Sequence, residues 1–200
     1  PRNRFGAGLP ALLLGRTLDW TRVGGRIGHL ALAVDPASGA HLYLTARALR
    51  ASVVVEYGSS IGMSAIYLGL AVRANGGGRV IGSELRPEKV ARARANVDEA
   101  GLSDIVEIRQ GDARETLSDI DGPIDFLHND GFPSAMLPIT KMLTPRMRRG
   151  AHVHAGNVAL FPADHADYVA WMRDAGNGFR SARLAMKLGG EVSVREVEPG

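Results

Sequence analysis

The sequence predicts a doubly wound α/β fold, a mostly parallel β-sheet with helices on both faces. Three observations predict it. Short apolar runs such as Val53-Val54-Val55 alternate with segments of helical period about a dozen residues long. Glycine or proline punctuates the joints, as at Gly76-Gly77-Gly78, Pro87 and Gly101. Acidic residues recur where the apolar runs end: Glu56, Glu84, Asp112 and Asp130. Alternation of strand and helix demands a parallel sheet. Right-handed crossovers then bring every strand's C-terminal end to one edge, where ligands of such sheets bind.

The elements follow in order. The segment before Ser52 reads as helical, and Ser38-Gly39 opens a helix that runs to Leu49. Ser52 to Tyr57 is the first strand, and the helix after Gly62 runs to about Asn75, where three glycines stop it. Arg79 to Glu84 is the second strand. Pro87 suits the first turn of the next helix, which buries Val90, Ala93 and Val97 on one stripe and ends at Gly101. Ile105 to Ile108 is the third strand and Pro123 to His128 the fourth. A helix over Met136 to Met147 ends in Pro145-Arg146-Met147-Arg148-Arg149, where cations oppose the negative end of the helix dipole. Ala151 to Ala155 is the fifth strand. Pro162 opens a helix through Tyr168 and Trp171, whose aromatic rings read as core, and Phe179 to Val197 reads as two strands in antiparallel pairing.

The 200 residues read as a single domain, a helical segment over 1–50 and a core over 51–200, with no repeat and no linker. The hydrophobic fraction of 45% is that of a soluble globular chain. A net charge of +3, from 24 basic and 21 acidic residues, is too balanced to argue for nucleic acid. The chain has no cysteine, which excludes disulfides, thiolate zinc sites and cysteine nucleophiles. No apolar run approaches the roughly 20 residues needed to cross a bilayer. No signal peptide is visible, so a cytoplasmic location is expected.

Glu56-Tyr57-Gly58-Ser59-Ser60-Ile61-Gly62-Met63-Ser64 carries the chemistry. Its spacing, Glu-x-Gly-x-x-x-Gly, departs from the Gly-x-Gly-x-x-Gly of dinucleotide sites. A carboxylate at Glu56 would repel a pyrophosphate at the helix N-terminus but suits a cationic ligand. That favours S-adenosylmethionine (SAM), a sulfonium with an amino acid head, over NAD. Glu84 after the second strand can accept both ribose hydroxyls, a role shared with NAD sites. Asp112 in Gly111-Asp112-Ala113 can reach the adenine amine.

These segments, with Gly82-Ser83-Glu84, Asp125 to Asp130 and Ala155-Gly156-Asn157, resemble the small SAM-dependent O-methyltransferases that include the catechol and caffeoyl-CoA enzymes. The likeness runs from about Asp35 to Val194. It implies a Rossmann-like seven-stranded sheet whose last strand is antiparallel. It implies that Glu56, Gly58, Ser60 and Ser64 lie around the amino acid head, Glu84 at the ribose and Asp112 by the adenine. Tyr57, Gly62, Leu85 and Ala113 would also border the cofactor, and Asp130 both cofactor and acceptor. It further implies a small-molecule acceptor, a possible homodimer, and a divalent ion held by an Asp after strand four and an Asp-Asn pair after strand five.

The chain departs from that pattern at two places. Asp130 and Asn157 stand at the outer metal positions, but the middle one is Gly156. The Lys often found three residues after the first Asp is Pro133. No metal is therefore assigned, with Asp130 and Asn157 the only weak candidates. Asp130 either meets the acceptor or caps the following helix. His128, His152 and His154 stand near the gap, the last two on one face of their strand. They admit three readings: rings packed against flanking helices, a general base at His128 or His154, or ligands for a softer metal. His29, His41 and His165 have no partner that sequence can name. Phe132 and Phe161 lie on loops at the functional edge.

The expected activity is SAM-dependent methylation of a small-molecule hydroxyl, either without metal or with an altered one. Asp130, His128 and His154 are the candidates for proton handling. A silent SAM-binding protein and an NAD(P)-dependent oxidoreductase are the alternatives.

Overall fold

A computed structural model describes residues 17–20, 23, 33–185 and 188–197. Most of the helical segment expected before residue 36, and His29 with it, lies outside the described residues. Helix α1 spans Pro36–Ala48 and begins two residues before the expected Ser38, because Asp35 caps it. The Asp35 carboxylate accepts from the N–H groups of Ala37 and Ser38 at 3.0 and 3.1 Å. Pro36 takes the first helical position, where no donor is needed.

The core then alternates β1 (Val53–Tyr57), α2 (Met63–Ala74), β2 (Arg79–Glu84), α3 (Pro87–Glu99), β3 (Val106–Gln110), the short α4 (Ala113–Thr116), β4 (Ile124–Asn129), α5 (Pro133–Leu143), β5 (Met147–Ala155), α6 (Ala166–Arg173), β6 (Phe179–Leu184) and β7 (Gly190–Arg195). The seven strands lie in the order β3-β2-β1-β4-β5-β7-β6. Strands β1 to β5 are parallel, and β7 runs antiparallel between β5 and β6, as expected.

Three expected boundaries are corrected. The helix read as Met136 to Met147 runs from Pro133 to Leu143, followed by a 3-10 turn at Thr144–Arg146. Thr144 keeps helical backbone, but Pro145 supplies no N–H to continue the ladder, so the α-helix gives way to the 3-10 turn there. The basic run is therefore not a helix C-terminus. Met147 to Arg149 begins β5, and Arg148 Nε sits 2.5 Å from Asp125 Oδ1. The other Asp125 oxygen accepts the N–H groups of Ser52 and Val53, so one carboxylate ties the starts of β1, β4 and β5 together. The last helix begins at Ala166 rather than Pro162, and α4 after Asp112 was not expected.

Period-two alternation sorts the strands onto two cores. Val54 and Phe126 are fully buried in one cluster with Leu42 of α1, Leu68 of α2 and Val90 of α3. Val55, Leu127 and Val153 face the other, with Met136, Ile139 and Tyr168. Burying each such side chain contributes about 1.5–3 kcal/mol. On the first face the apolar rows turn polar toward the C-terminal edge. Glu56 is in register with His128, and His128 with His154. That row is the floor of the site.

Candidate cofactor and acceptor site

The turn between β1 and α2 alternates left-handed residues: Gly58 at φ 90°, Ser60 at 48° and Gly62 at 84°. At Gly58 glycine is also required sterically, since a Cβ would lie 2.6 Å from Gly131 Cα in the loop after β4. The N–H groups of Gly58 and Ser59 both donate to Ser83 O, at 3.0 and 3.1 Å. Ser60 N donates to Glu84 Oε2 and Arg86 N to Glu84 Oε1, each at 2.9 Å. The Glu84 carboxylate is thus fixed by backbone at the mouth of the turn, with lone pairs to spare for a diol.

Glu56 is fully buried, and neither carboxylate oxygen makes a hydrogen bond of regular geometry, although the Ser59 and Ser64 hydroxyls lie close enough to favour its charged form. Gly82 leaves the room beside it: a Cβ there would lie 3.3 Å from Glu56 Oε2 and 2.2 Å from Ser59 Oγ. Burial pushes the Glu56 carboxyl up, the hydroxyls of Ser59 and Ser64 partly oppose this, and the charge of Glu84 adds to it. An orphaned buried carboxylate is costly unless a cation or donor completes it. Ser64, buried in the first turn of α2, lies on the same side.

The remaining expected cofactor residues line the same edge. Leu85 directly follows Glu84 and is 60% exposed, an apolar surface at the rim. Asp112 caps α4, accepting from Arg114 N at 2.9 Å, and pairs with the Arg114 guanidinium, which holds its carboxyl below the usual range. Ala113 is buried behind it. The Tyr57 ring lies under Gly131, where a Cβ would fall 2.2 Å from it, and its hydroxyl donates to Phe132 O at 3.2 Å. Burial pushes that phenol up to about 12, so it stays protonated near neutrality.

Asp130 follows β4, with Oδ1 accepting from Asn157 Nδ2 at 2.6 Å and Oδ2 3.9 Å from His128 Nε2. It does not cap α5, whose N-cap is Phe132. Burial pushes the Asp130 carboxyl up to about 7, with the charge of Glu56 adding to this and Asn157 opposing. A Cβ on residue 156 would lie 2.2 Å from Asp130 Oδ1. The Asp130 carboxylate thus fills the space of the missing middle ligand, and Asn157 points its amide donor, not its oxygen, at the carboxylate. Hard divalent ions need several converging oxygens. Among the described residues no group of three or more His, Cys, Asp or Glu is arranged to hold an ion. The metal of the resembled family does not fit these residues.

His128 and His154 are buried with Nδ1 atoms 3.2 Å apart. Burial holds both imidazoles neutral, His128 down to about 4 and His154 well below its usual value. His152 is on the same face, and burial lowers it as well. His41 of α1, for which sequence offered no partner, packs its ring 5.4 Å from that of His154. His165 is elsewhere, with Nδ1 2.8 Å from Phe161 O. Trp20 was also missed. It sits between Phe132 and Phe161, at 5.4 and 4.9 Å between ring centroids, and its indole N–H donates to Asp164 at 2.8 Å. No local signal marks either residue, because each is placed by a chain segment crossing from elsewhere.

The sheet order and the carboxylates along one edge define a Rossmann-like α/β fold of the methyltransferase kind. The chain belongs to the family described as a methyltransferase domain, whose signature matches residues 55–158. It is 34% identical over 148 residues to a catechol O-methyltransferase of Mycobacterium tuberculosis, covering 71% of this chain and 66% of that one. It is 36% identical over 107 residues to a catechol O-methyltransferase of Niastella koreensis, covering 52% and 48%. The chain thus spans between about half and two thirds of these relatives' length. An O-methyltransferase from Bacillus cereus, solved in complex with S-adenosylhomocysteine (SAH), superposes with a TM-score of 0.75 at 22% identity over 88% of each chain, a likeness of fold. Among the described residues no helix is long and apolar enough to cross a membrane.

Proposed function

We propose that the chain is a SAM-dependent O-methyltransferase that methylates a hydroxyl of a small molecule without a metal ion. The observation that carries the reading is Glu56, a buried carboxylate with no regular hydrogen bond and no cation beside it among the described residues, beneath a turn of alternating left-handed residues. Such a group repels phosphate and demands a cation or donor. The ammonium of an amino acid head meets that demand. Glu56, Gly58, Ser60, Gly62 and Ser64 would hold that head, with Tyr57 behind them. Glu84 would take the ribose diol, Leu85 would cover the adenine, and Asp112 and Ala113 would border it. SAM supplies the activated methyl group when bound.

The protein's own work is alignment and one proton. Asp130 would accept the proton of the acceptor hydroxyl, since its carboxyl sits near neutrality. His128 and His154 are weak bases in this setting and would act through Asp130. The aromatic group of Trp20, Phe132 and Phe161 would border an apolar acceptor. The assembly implied by the resemblance is a homodimer, acting in the cytoplasm on a small molecule rather than on nucleic acid or membrane. A silent SAM-binding protein is the second reading, favoured by Gly156 and Pro133 at two positions where the resembled enzymes carry functional side chains.

Calorimetric titration with SAH, with NAD as comparison, tests the proposal. The expected result is micromolar binding of SAH, lost in Glu84→Ala, and none of NAD. Preference for NAD would overturn it. Binding with no turnover on any hydroxylated acceptor would leave the silent reading standing.

A further inference from the structure

His128 and His154 face each other across β4 and β5 with Nδ1 atoms 3.2 Å apart. A hydrogen bond between two Nδ1 atoms requires one ring to hold its proton there and the other to present a lone pair. A neutral imidazole carries one N–H, so the two rings are opposite tautomers. Their outer nitrogens, both Nε2, are buried and have no partner. Each end of the pair is thus open. At one end His128 Nε2 is 3.9 Å from Asp130 Oδ2, beyond hydrogen-bond distance, so a rotation of the Asp130 carboxylate must close the gap before a proton passes. At the other, His154 Nε2 lies beside Gly190 of β7, where an added Cβ would be 3.5 Å away, and the flank of the His154 ring packs against that of His41, which is partly exposed on α1.

Resting on the methyltransferase reading, we propose that His128 and His154 are positioning residues that form a two-imidazole relay, carrying the acceptor's proton from Asp130 toward His41 and solvent. The acceptor's O–H bond breaks and its proton goes to Asp130, while the oxygen gains the methyl group and the sulfur keeps the electron pair of the broken bond. Asp130 then gives the proton to His128 Nε2. His128 passes the proton on its Nδ1 to His154 Nδ1, and His154 releases the proton on its Nε2. One proton enters and one leaves, and neither ring holds a stable charge. An ionised Asp130 selects His128 with its proton on Nε2, which forces His154 to hold its own on Nδ1. A protonated Asp130 selects the reverse. The charged and titratable groups around the pair are Glu56 of β1, Asp130, His41 of α1, and His152 with Arg148 of β5. On β7 the residue opposite His154 is the apolar Val192.

The test is long-range proton–nitrogen correlation on histidine-labelled protein at about pH 8, well above the ordinary imidazole range, for the wild type and Asp130→Asn. The relay requires opposite tautomers in the wild type, His128 on Nε2 and His154 on Nδ1. It also requires the His154 tautomer to change when Asp130, which does not touch it, is replaced. Both rings on Nε2 would exclude the Nδ1 bond and overturn the proposal, as would a His154 spectrum indifferent to Asp130→Asn. If that variant does not fold, the wild-type tautomers still decide. SAH titration of the same samples judges the cofactor reading separately, since opposite tautomers without SAH binding would sink that reading alone. In turnover, His154→Phe is expected to lower kcat about tenfold or more with KM and SAH affinity unchanged.

Discussion

The carboxylate of Asp130 occupies the place that any side chain at position 156 would need. A Cβ on Gly156 would lie 2.2 Å from Asp130 Oδ1, which Asn157 already holds by hydrogen bond. The glycine and the inward carboxylate are thus one adaptation. Restoring the family's carboxylate through Gly156→Asp is expected to cost about 1–3 kcal/mol, the usual range for overpacking. In an Asp130→Ala background most of that cost should disappear. Denaturant midpoints of the two single variants and the double variant measure the coupling.

The same geometry bears on metal dependence. With one carboxylate, no middle ligand and the Asn157 amide donating inward, nothing among the described residues converges on a hard cation there. Methyl transfer is therefore expected to keep its rate after exhaustive chelation. A loss of activity that added magnesium restores would show that Asp130 and Asn157 rearrange around an ion.

Much of this site was legible in the sequence. Glu56, Glu84, Asp112 and Asp130 mark strand ends because a parallel sheet sends every such end to one edge, and local pattern is enough to locate strands. The facing of His128 and His154 followed from period two once β4 and β5 were neighbours. His41 and Trp20 were not legible, since the place of each depends on packing against residues distant in the chain, His154 for one and Phe132, Phe161 and Asp164 for the other. The Arg148–Asp125 pair was misread for a related reason. The run Pro145 to Arg149 has the composition of a helix end, and only pairing with β4 reveals Met147 to Arg149 as strand.

Glu56 sets function against stability. Its carboxylate is buried with no cation beside it among the described residues, a cost that a bound ammonium would offset. Glu56→Gln is expected to raise the melting temperature of the free protein near neutral pH. SAH should then bind at least about tenfold more weakly, a loss of about 1.4 kcal/mol. Thermal unfolding and calorimetry on one preparation check both halves. A variant that is less stable and binds unchanged would show that Glu56 is a packing group.

Asp130 gives the opposite pH signature from the histidines around it, and the signs can be separated. Its carboxyl is raised to about 7 in the folded protein, chiefly by burial, against about 3.9 in an unfolded chain. Between those values the folded state binds more protons, so this group's contribution to stability falls as pH rises and its penalty is complete above about 7. His128 runs the other way. It is lowered to about 4 by burial, so its contribution is complete above the unfolded value of about 6.5 and is lost as pH falls toward 4. His154 is lowered in the same direction. The wild type should therefore lose stability in acid through the histidines while Asp130 partly compensates. Asp130→Asn removes the compensation. It is expected to be more stable than the wild type at about pH 8, with an advantage that shrinks through the window between about 7 and 4 and vanishes below it. Denaturant unfolding of both proteins across that range measures the difference curve. A constant difference at every pH would show that Asp130 titrates as an ordinary surface carboxylate.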